Sequence, residues 1–231
     1  MNIKITMAVM ATAFALTACG NIKNDIPGRE TTPGGTLTAT EAGEKGFERI
    51  ETYGKFNVFF VQGDKTSVEL RGDSEQIART EIKCDGRTLT FSMRRRSGFH
   101  SGGSGDVDVY VTSPRLSGVS LNGSGDFKSE SELRTDGIDI SISGAGDVEL
   151  RSLDCGKCNV VVSGSGDIGI DRIAAKELVV KIAGSGDIDL SNANIDRADL
   201  SIAGSGDIDI DGHVGSVSRH IAGLGTIDIN P

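Results

Sequence analysis

In a chain of 231 residues a formal charge of −9 disfavours nucleic acid, since phosphate binding needs a basic surface, and no basic stripe offsets it. Glycine supplies 32 residues, aromatics 4% and tryptophan none, which suits a narrow core and suits a wide globular one poorly. The length holds one elongated domain or about one and a half compact ones.

Residues 1–18 read as a signal peptide. Lys4 gives a positive start, and Ile5 to Ala18 is a 14-residue uncharged run, short for a bilayer span but right for a signal-peptide apolar region. Leu16-Thr17-Ala18-Cys19 resembles the bacterial lipobox, which implies cleavage before Cys19 and its diacylation. An ordinary secretory signal cut elsewhere is the alternative. Two or three acyl chains on Cys19 would anchor the protein stably. Gly20 in place of an aspartate favours the outer membrane over the inner one; periplasmic or surface display is not readable.

Residues 19–45 form the expected lipidated N-terminus and flexible tether. Pro27-Gly28, Pro33-Gly34-Gly35 and the Thr-rich run after them have no period and few large apolar residues, and such a chain reaches roughly 25–30 Å. Residues 46–102 begin the β pattern: Phe56 to Val61, Ser67 to Leu70 and Thr88 to Phe91 are strand signals, and Ser74 to Arg79 fits one helical turn. This section holds six of the eight phenylalanines and suits a cap over the first coil of a repeat array. Arg94-Arg95-Arg96 reads as a solvated face, with an anionic glycan or lipid as the functional alternative.

Residues 103–231, in the same domain, carry a corner that returns at nearly constant spacing. Gly103-Ser104-Gly105-Asp106 is followed by Gly123-Ser124-Gly125-Asp126, Gly144-Ala145-Gly146-Asp147, Gly164-Ser165-Gly166-Asp167, Gly184-Ser185-Gly186-Asp187, Gly204-Ser205-Gly206-Asp207 and a worn copy, Gly223-Leu224-Gly225-Thr226. The intervals are 20, 21, 20, 20, 20 and 19 residues. Around each corner the apolar residues alternate with period two, as in Val160, Val162, Ile168 and Ile170. This predicts an all-β solenoid: a single-stranded, right-handed parallel β-helix of about 20 residues per coil, with Val160, Val180 and Leu200 in one file. The glycines answer either a need for positive φ or a close approach to the coil beneath.

The grammar Phe47-Glu48-Arg49-Ile50, Val58 to Gly63 and Asp85-Gly86-Arg87-Thr88-Leu89, followed by Gly-Ser-Gly-Asp-Ile corners, resembles the auto-transporter adhesin head GIN-domain family over about residues 46–229. The resemblance implies a parallel β-helix, often in lipoproteins of Bacteroidetes-type bacteria, with no established enzymatic activity.

The corner aspartates would form one column, each accepting nearby backbone N–H groups. Neighbours at about 4.8 Å repel by roughly 0.9 kcal/mol in water, and a capping hydrogen bond returns about 1 kcal/mol. A cation is therefore permitted and not required. The corners also resemble calcium-binding nonapeptides, so Asp167, Asp187 and Asp207 stand as Ca²⁺ candidates beside the structural reading. A second acidic file, Asp108, Glu149, Asp189, Asp209 and Asp228, is broken by Lys128 and Gly169.

Cys155-Gly156-Lys157-Cys158 spells C-x-x-C without a βαβ context. The 20-residue register places both cysteines in apolar columns, as buried small hydrophobes or a post-export disulfide; Cys84 has no assigned partner. His100, His213 and His220 are scattered, no nucleophile–base spacing appears, and no catalytic residue or cofactor is assigned. Arg219 falls in the file of Val160, Val180 and Leu200, where an inward charge on the last strand discourages further strand addition.

The expected protein is a lipid-anchored envelope β-helix acting as an adhesin-like or scaffold module. Its partners are the membrane, through the lipid, and an unidentified envelope protein or glycan; the oligomeric state is not readable. A glycan-processing β-helix enzyme and a calcium-stabilised envelope protein are the rivals, and carboxylates with an arginine inside a groove would favour the enzyme.

Overall fold

The structure, a computed structural model, describes residues 21–22, 36–39, 46–94 and 106–231. It is 69% strand and 3% helix, wound as a solenoid of about 6 turns with roughly 20 residues per turn. In chain order the elements are β1 (Asn21–Ile22), β2 (Thr36–Ala39), β3 (Arg49–Gly54), β4 (Phe56–Gln62), β5 (Ser67–Gly72), α1 (Ser74–Arg79), β6 (Thr80–Asp85), β7 (Thr88–Met93) and β8 (Val107–Ser113). They continue with β9 (Gly118–Gly123), β10 (Phe127–Ile142), β11 (Val148–Val162), β12 (Ile168–Ile170), β13 (Ile173–Ile182), β14 (Ile188–Ile202), β15 (Ile208–Ile221) and β16 (Ile227–Asn230).

From β10 onward each lap lies parallel on the one before. Val160 faces Val180 and Val180 faces Leu200, and all three are fully buried, so the expected file is present. Every complete lap has three sides. Side A follows the corner (148–150 in one lap), side B comes next (152–155), and side C leads to the next corner (157–162). Period-two alternation turns one set of side chains inward, and the inward set is almost wholly Val, Ile and Leu. The two unequal intervals have local causes. The step of 21 is absorbed by a slip between Ser129 and Glu132, and the step of 19 by a slip between Leu190 and Ala193, where Asn192 takes φ 46°.

The N-terminal laps depart from sequential order, and this corrects one expectation. Lap 103–122 was expected directly beneath lap 123–142. Instead β4 lies between β8 and β10 on side A, pairing with both in parallel, and β3 lies between β7 and β9 on side C. The β3–β4 lap is thus inserted into the stack. Large rings fill it: Phe56 meets Phe91 and Phe60 meets Phe127, each pair at 6.0 Å between centroids. A lap packed on rings fits next to β7 and β10, which present rings, better than next to the methyl-lined laps above.

The end beyond that lap is closed by strands of opposite sense. β5 runs antiparallel to β8, and β6 forms a hairpin with β7 through Gly86 at φ 60°. Of the stretch expected as a tether, β1 and β2 add to the edges of β6 and β5, which offer unpaired backbone groups to any extended segment. α1 occupies the expected helical turn; Asp73 caps it, its carboxylate accepting from the N–H of Glu75 at 2.9 Å and of Gln76 at 3.2 Å.

At the opposite end, β16 covers only side A of the last lap. Arg219 sits opposite Leu200, as the register requires, and its guanidinium donates to the Ile227 carbonyl at 3.3 Å. Val217, Ile221 and Leu224 are exposed there.

Candidate functional site

Two features organise the surface, a corner file and a groove. At the corner, each first-glycine carbonyl accepts the N–H of the residue one lap on, for instance Ser185 N to Gly164 O at 2.9 Å. A Cβ on Gly184 would lie 1.8 Å from that same carbonyl oxygen, and one on Gly186 would lie 2.1 Å from Gly166 O. Among the described residues the glycines of the Gly-x-Gly repeat corners do not take positive φ; that region belongs to Gly54 of the inserted lap and to Gly72, Gly86, Gly212 and Asn192. Close approach is therefore what the corners require of glycine, from Gly123, Gly125, Gly144 and Gly146 through Gly164, Gly166, Gly204 and Gly206 to Gly223 and Gly225. Gly103 and Gly105 lie outside the described residues, as do Cys19, the signal peptide, Arg95, Arg96 and His100.

The aspartates form a ladder between laps. The N–H of Asp167, Asp187 and Asp207 each donates at 2.8 Å to the carboxylate of the preceding aspartate (Asp147, Asp167 and Asp187), and Asp147 N donates to Asp126 at 3.1 Å. The worn last copy fits this scheme. Thr226 donates both its N–H (2.7 Å) and its hydroxyl (2.9 Å) to Asp207. At the other end the inserted lap supplies Asn57, whose side-chain oxygen accepts from Asp126 N at 3.5 Å and whose amide donates to Asp108 at 2.9 Å.

This corrects the register of two residues. Asp106 stands outside the file and pairs with Lys55 at 3.2 Å, while Asp108 leaves the second acidic file and takes the corner position. The calcium candidates Asp167, Asp187 and Asp207 each commit one carboxylate oxygen to the ladder. Among the described residues, no three His, Cys, Asp or Glu side chains gather as a metal would need. In the remaining outer file, burial, reinforced by neighbouring aspartates, raises the carboxyls of Asp189 and Asp209 above the ordinary 3.8.

The groove is a consequence of the inserted lap. Below β10 the chain does not lay down side B: β4 leaves the stack at Gln62, and β8 passes through 114–117 straight into side C. Side B therefore begins at 132–135 with an open edge. Gln62 dresses that edge as a peptide group would, accepting from Arg134 N at 2.8 Å and donating to Arg134 O at 2.9 Å. The resulting cavity of about 940 Å³ is lined by Arg87, Arg115, Arg134 and Lys176, by Glu48, Asp136 and Asp154, and by small polar residues with Pro114 and Cys155. Glu48, with its side chain only 17% exposed, is shared by Arg87 and by Arg115 at 3.6 Å, while Arg134 pairs with Glu132 at 2.8 Å. None of the charged residues of this groove was singled out from sequence for a site. The available signal was Gly54-Lys55-Phe56-Asn57-Val58, which echoes Gly-Ser-Gly-Asp-Ile and places the inserted lap at the corner.

Cys155 and Cys158 occupy the apolar columns, Cys155 between Thr135 and Ala175 and Cys158 between Ile138 and Leu178, both as buried thiols. Their mutual hydrogen bond lowers the Cys155 thiol; the same bond, together with burial, raises Cys158. Phe59 and Tyr110 stack at 5.0 Å with the Arg71 guanidinium over the Tyr110 ring, so both faces of that ring are already occupied.

The family described as "Putative auto-transporter adhesin, head GIN domain" matches residues 46–230, the whole of this stacked region. The chain belongs to that family. Among solved structures, the GIN domain here resembles a "putative adhesin" from Bacteroides fragilis, 27% identical with a TM-score of 0.67 over 84% of this chain and 96% of that one. It shares its fold with a "putative adhesin" from Parabacteroides merdae (21%, TM-score 0.70, 85% and 95% covered). The same holds for a "putative lipid binding protein" from Parabacteroides distasonis (20%, TM-score 0.66, 85% and 97% covered). No curated protein matches the chain. The descriptions given to the GIN-domain family and these neighbours are of adhesins or binding proteins rather than enzymes. Among the described residues of this GIN domain, no helix is long and apolar enough to cross a membrane.

Proposed function

We propose that this GIN-domain protein is exported, anchored by a lipidated Cys19 in the outer membrane, and acts there as a non-catalytic, adhesin-like interaction module. The observation that carries this reading is the place of the groove. Repeat residues maintain the stack, whereas charged residues from the inserted and adjoining laps gather where side B is missing. Family membership supports an envelope role, and the Leu16 to Cys19 motif supplies the anchor. The test is fractionation and cross-linking capture in the native host. The wild-type chain should partition with outer membrane and retain envelope protein or glycan, and Cys19→Ser should move it to the soluble fraction. A Cys19→Ser chain that stays membrane-bound, or a wild-type capture containing nothing from the envelope, would count against the reading.

The groove also keeps a second reading open, since Glu48, Asp136 and Asp154 share it with arginines, the combination a glycan-processing enzyme would use. Release of new sugar ends from an envelope glycan by the full chain, abolished by Asp136→Asn or Asp154→Asn, would establish that reading.

A further inference from the structure

We propose that the side B groove is a binding site for an acidic oligosaccharide, with the sugar carboxylates held by Arg115 and Arg134. This rests on the interaction-module reading and names its ligand class. The charge is the first observation. On a chain of net charge −9, four cations face one cavity. Glu48 serves two of them at once, and Lys176 has no ion-pair partner among the described residues. Four cations face three carboxylates, Glu48, Asp136 and Asp154, across the cavity, and the planar guanidinium fork matches a sugar carboxylate with two parallel hydrogen bonds.

The lining chemistry is the second observation. No Leu, Ile, Val, Phe or Met side chain lines the groove. An acyl chain or the apolar anchor of a peptide finds no surface there, so the occupant is polar along its length. The third is the supply of acceptors. Asp136 and Asp154 can accept hydrogen bonds from hydroxyl groups beside the cations, and a sugar acid presents both carboxylate and hydroxyl groups. The cavity of about 940 Å³ has room for several sugar rings, and no aromatic side chain lines it, so recognition there is by charge and hydrogen bonding rather than ring stacking.

The test is calorimetric titration of the detergent-solubilised full chain with tetragalacturonate, alongside maltotetraose and inorganic phosphate. The acidic tetrasaccharide should bind and the two comparison probes should not. Arg115→Ala and Arg134→Ala should each weaken binding about tenfold, because each removes a charge-assisted pair. Both side chains are at least 70% exposed, so the fold should survive, and an unchanged Tm checks this. Lys181→Ala, five residues along β13 from Lys176 and outside the groove lining, should leave binding unchanged. Equal binding by a variant carrying both Arg115→Ala and Arg134→Ala, equal binding of maltotetraose or phosphate, or no tetragalacturonate binding by the wild type would each overturn the proposal. If tetragalacturonate does not bind while the host capture still returns envelope material, the ligand class alone is wrong. An empty host capture is instead the failure of the interaction reading.

Discussion

The laps from β10 onward and the inserted β3–β4 lap solve the same stacking problem with different materials. In the regular laps the core is branched aliphatic, the corners are glycine, and each neighbour is the next stretch of chain. In the inserted lap the core is phenylalanine, the corner is Gly54-Lys55-Phe56-Asn57, and both neighbours come from distant sequence. Regularity leaves a smooth side wall, and insertion leaves side B incomplete. Architecture that repeats supplies the support, and the break in it supplies the recess.

The largest expected effect falls on the regular half. Gly184→Ala puts a methyl 1.8 Å from Gly164 O, and because backbone cannot yield there, the loss should exceed about 4 kcal/mol, read as failure to fold or a collapse in Tm. Gly169→Ala, with open space around its Cβ, should stay within about 0.5 kcal/mol. If the two variants melt alike, close approach is not what the corner glycines provide. Next comes the inserted lap, where Phe60→Ala should cost about 3–5 kcal/mol in urea unfolding, since its ring is 1% exposed against Phe127.

A smaller effect separates ladder from charge. Asp187→Ala leaves the Asp207 N–H without its acceptor and should cost about 1 kcal/mol, whereas Asp187→Asn keeps an acceptor oxygen and should cost less. The smallest effect is a pH dependence. Burial, aided by Asp187, Asp167 and Asp211, holds the folded Asp189 carboxyl above 3.8, so the folded chain retains a proton that the unfolded chain has lost. This group's contribution to stability therefore falls as pH rises from 3.8 through the raised value. Asp189→Asn should raise Tm slightly at pH 7, and the gain should vanish as the pH drops below 3.8. A gain that persists at low pH would point to packing instead.

Much of the stack could be read in advance because its contacts are between residues one period apart. Val160, Val180 and Leu200, the Cys155 and Cys158 columns and the position of Arg219 all follow from counting by 20 or, at the last lap, 19. The inserted lap escaped that count, since Val58 meets Phe127 across 69 residues with no period to announce it. Asp106 was misplaced for a related reason. Asp106-Val107 and Asp108-Val109 both match the corner pattern, and only Asn57 opposite Asp108 decides between them. The groove residues escaped because a recess made by a missing strand leaves no local signature in Arg87, Arg115 or Lys176.

Cross-linking of paired cysteines tests the insertion most directly. Phe59 stands opposite both Tyr110 and Lys128, on outward-facing positions of side A. Parallel neighbours at about 4.8 Å fall within disulfide reach, while positions two strands apart, at about 9.6 Å, do not. Phe59→Cys should therefore cross-link under mild oxidation to Lys128→Cys and, in a second variant, to Tyr110→Cys, whereas Tyr110→Cys with Lys128→Cys should remain reduced. Ready cross-linking of Tyr110→Cys to Lys128→Cys would place laps 106–113 and 127–129 side by side, and the groove would lose its structural origin.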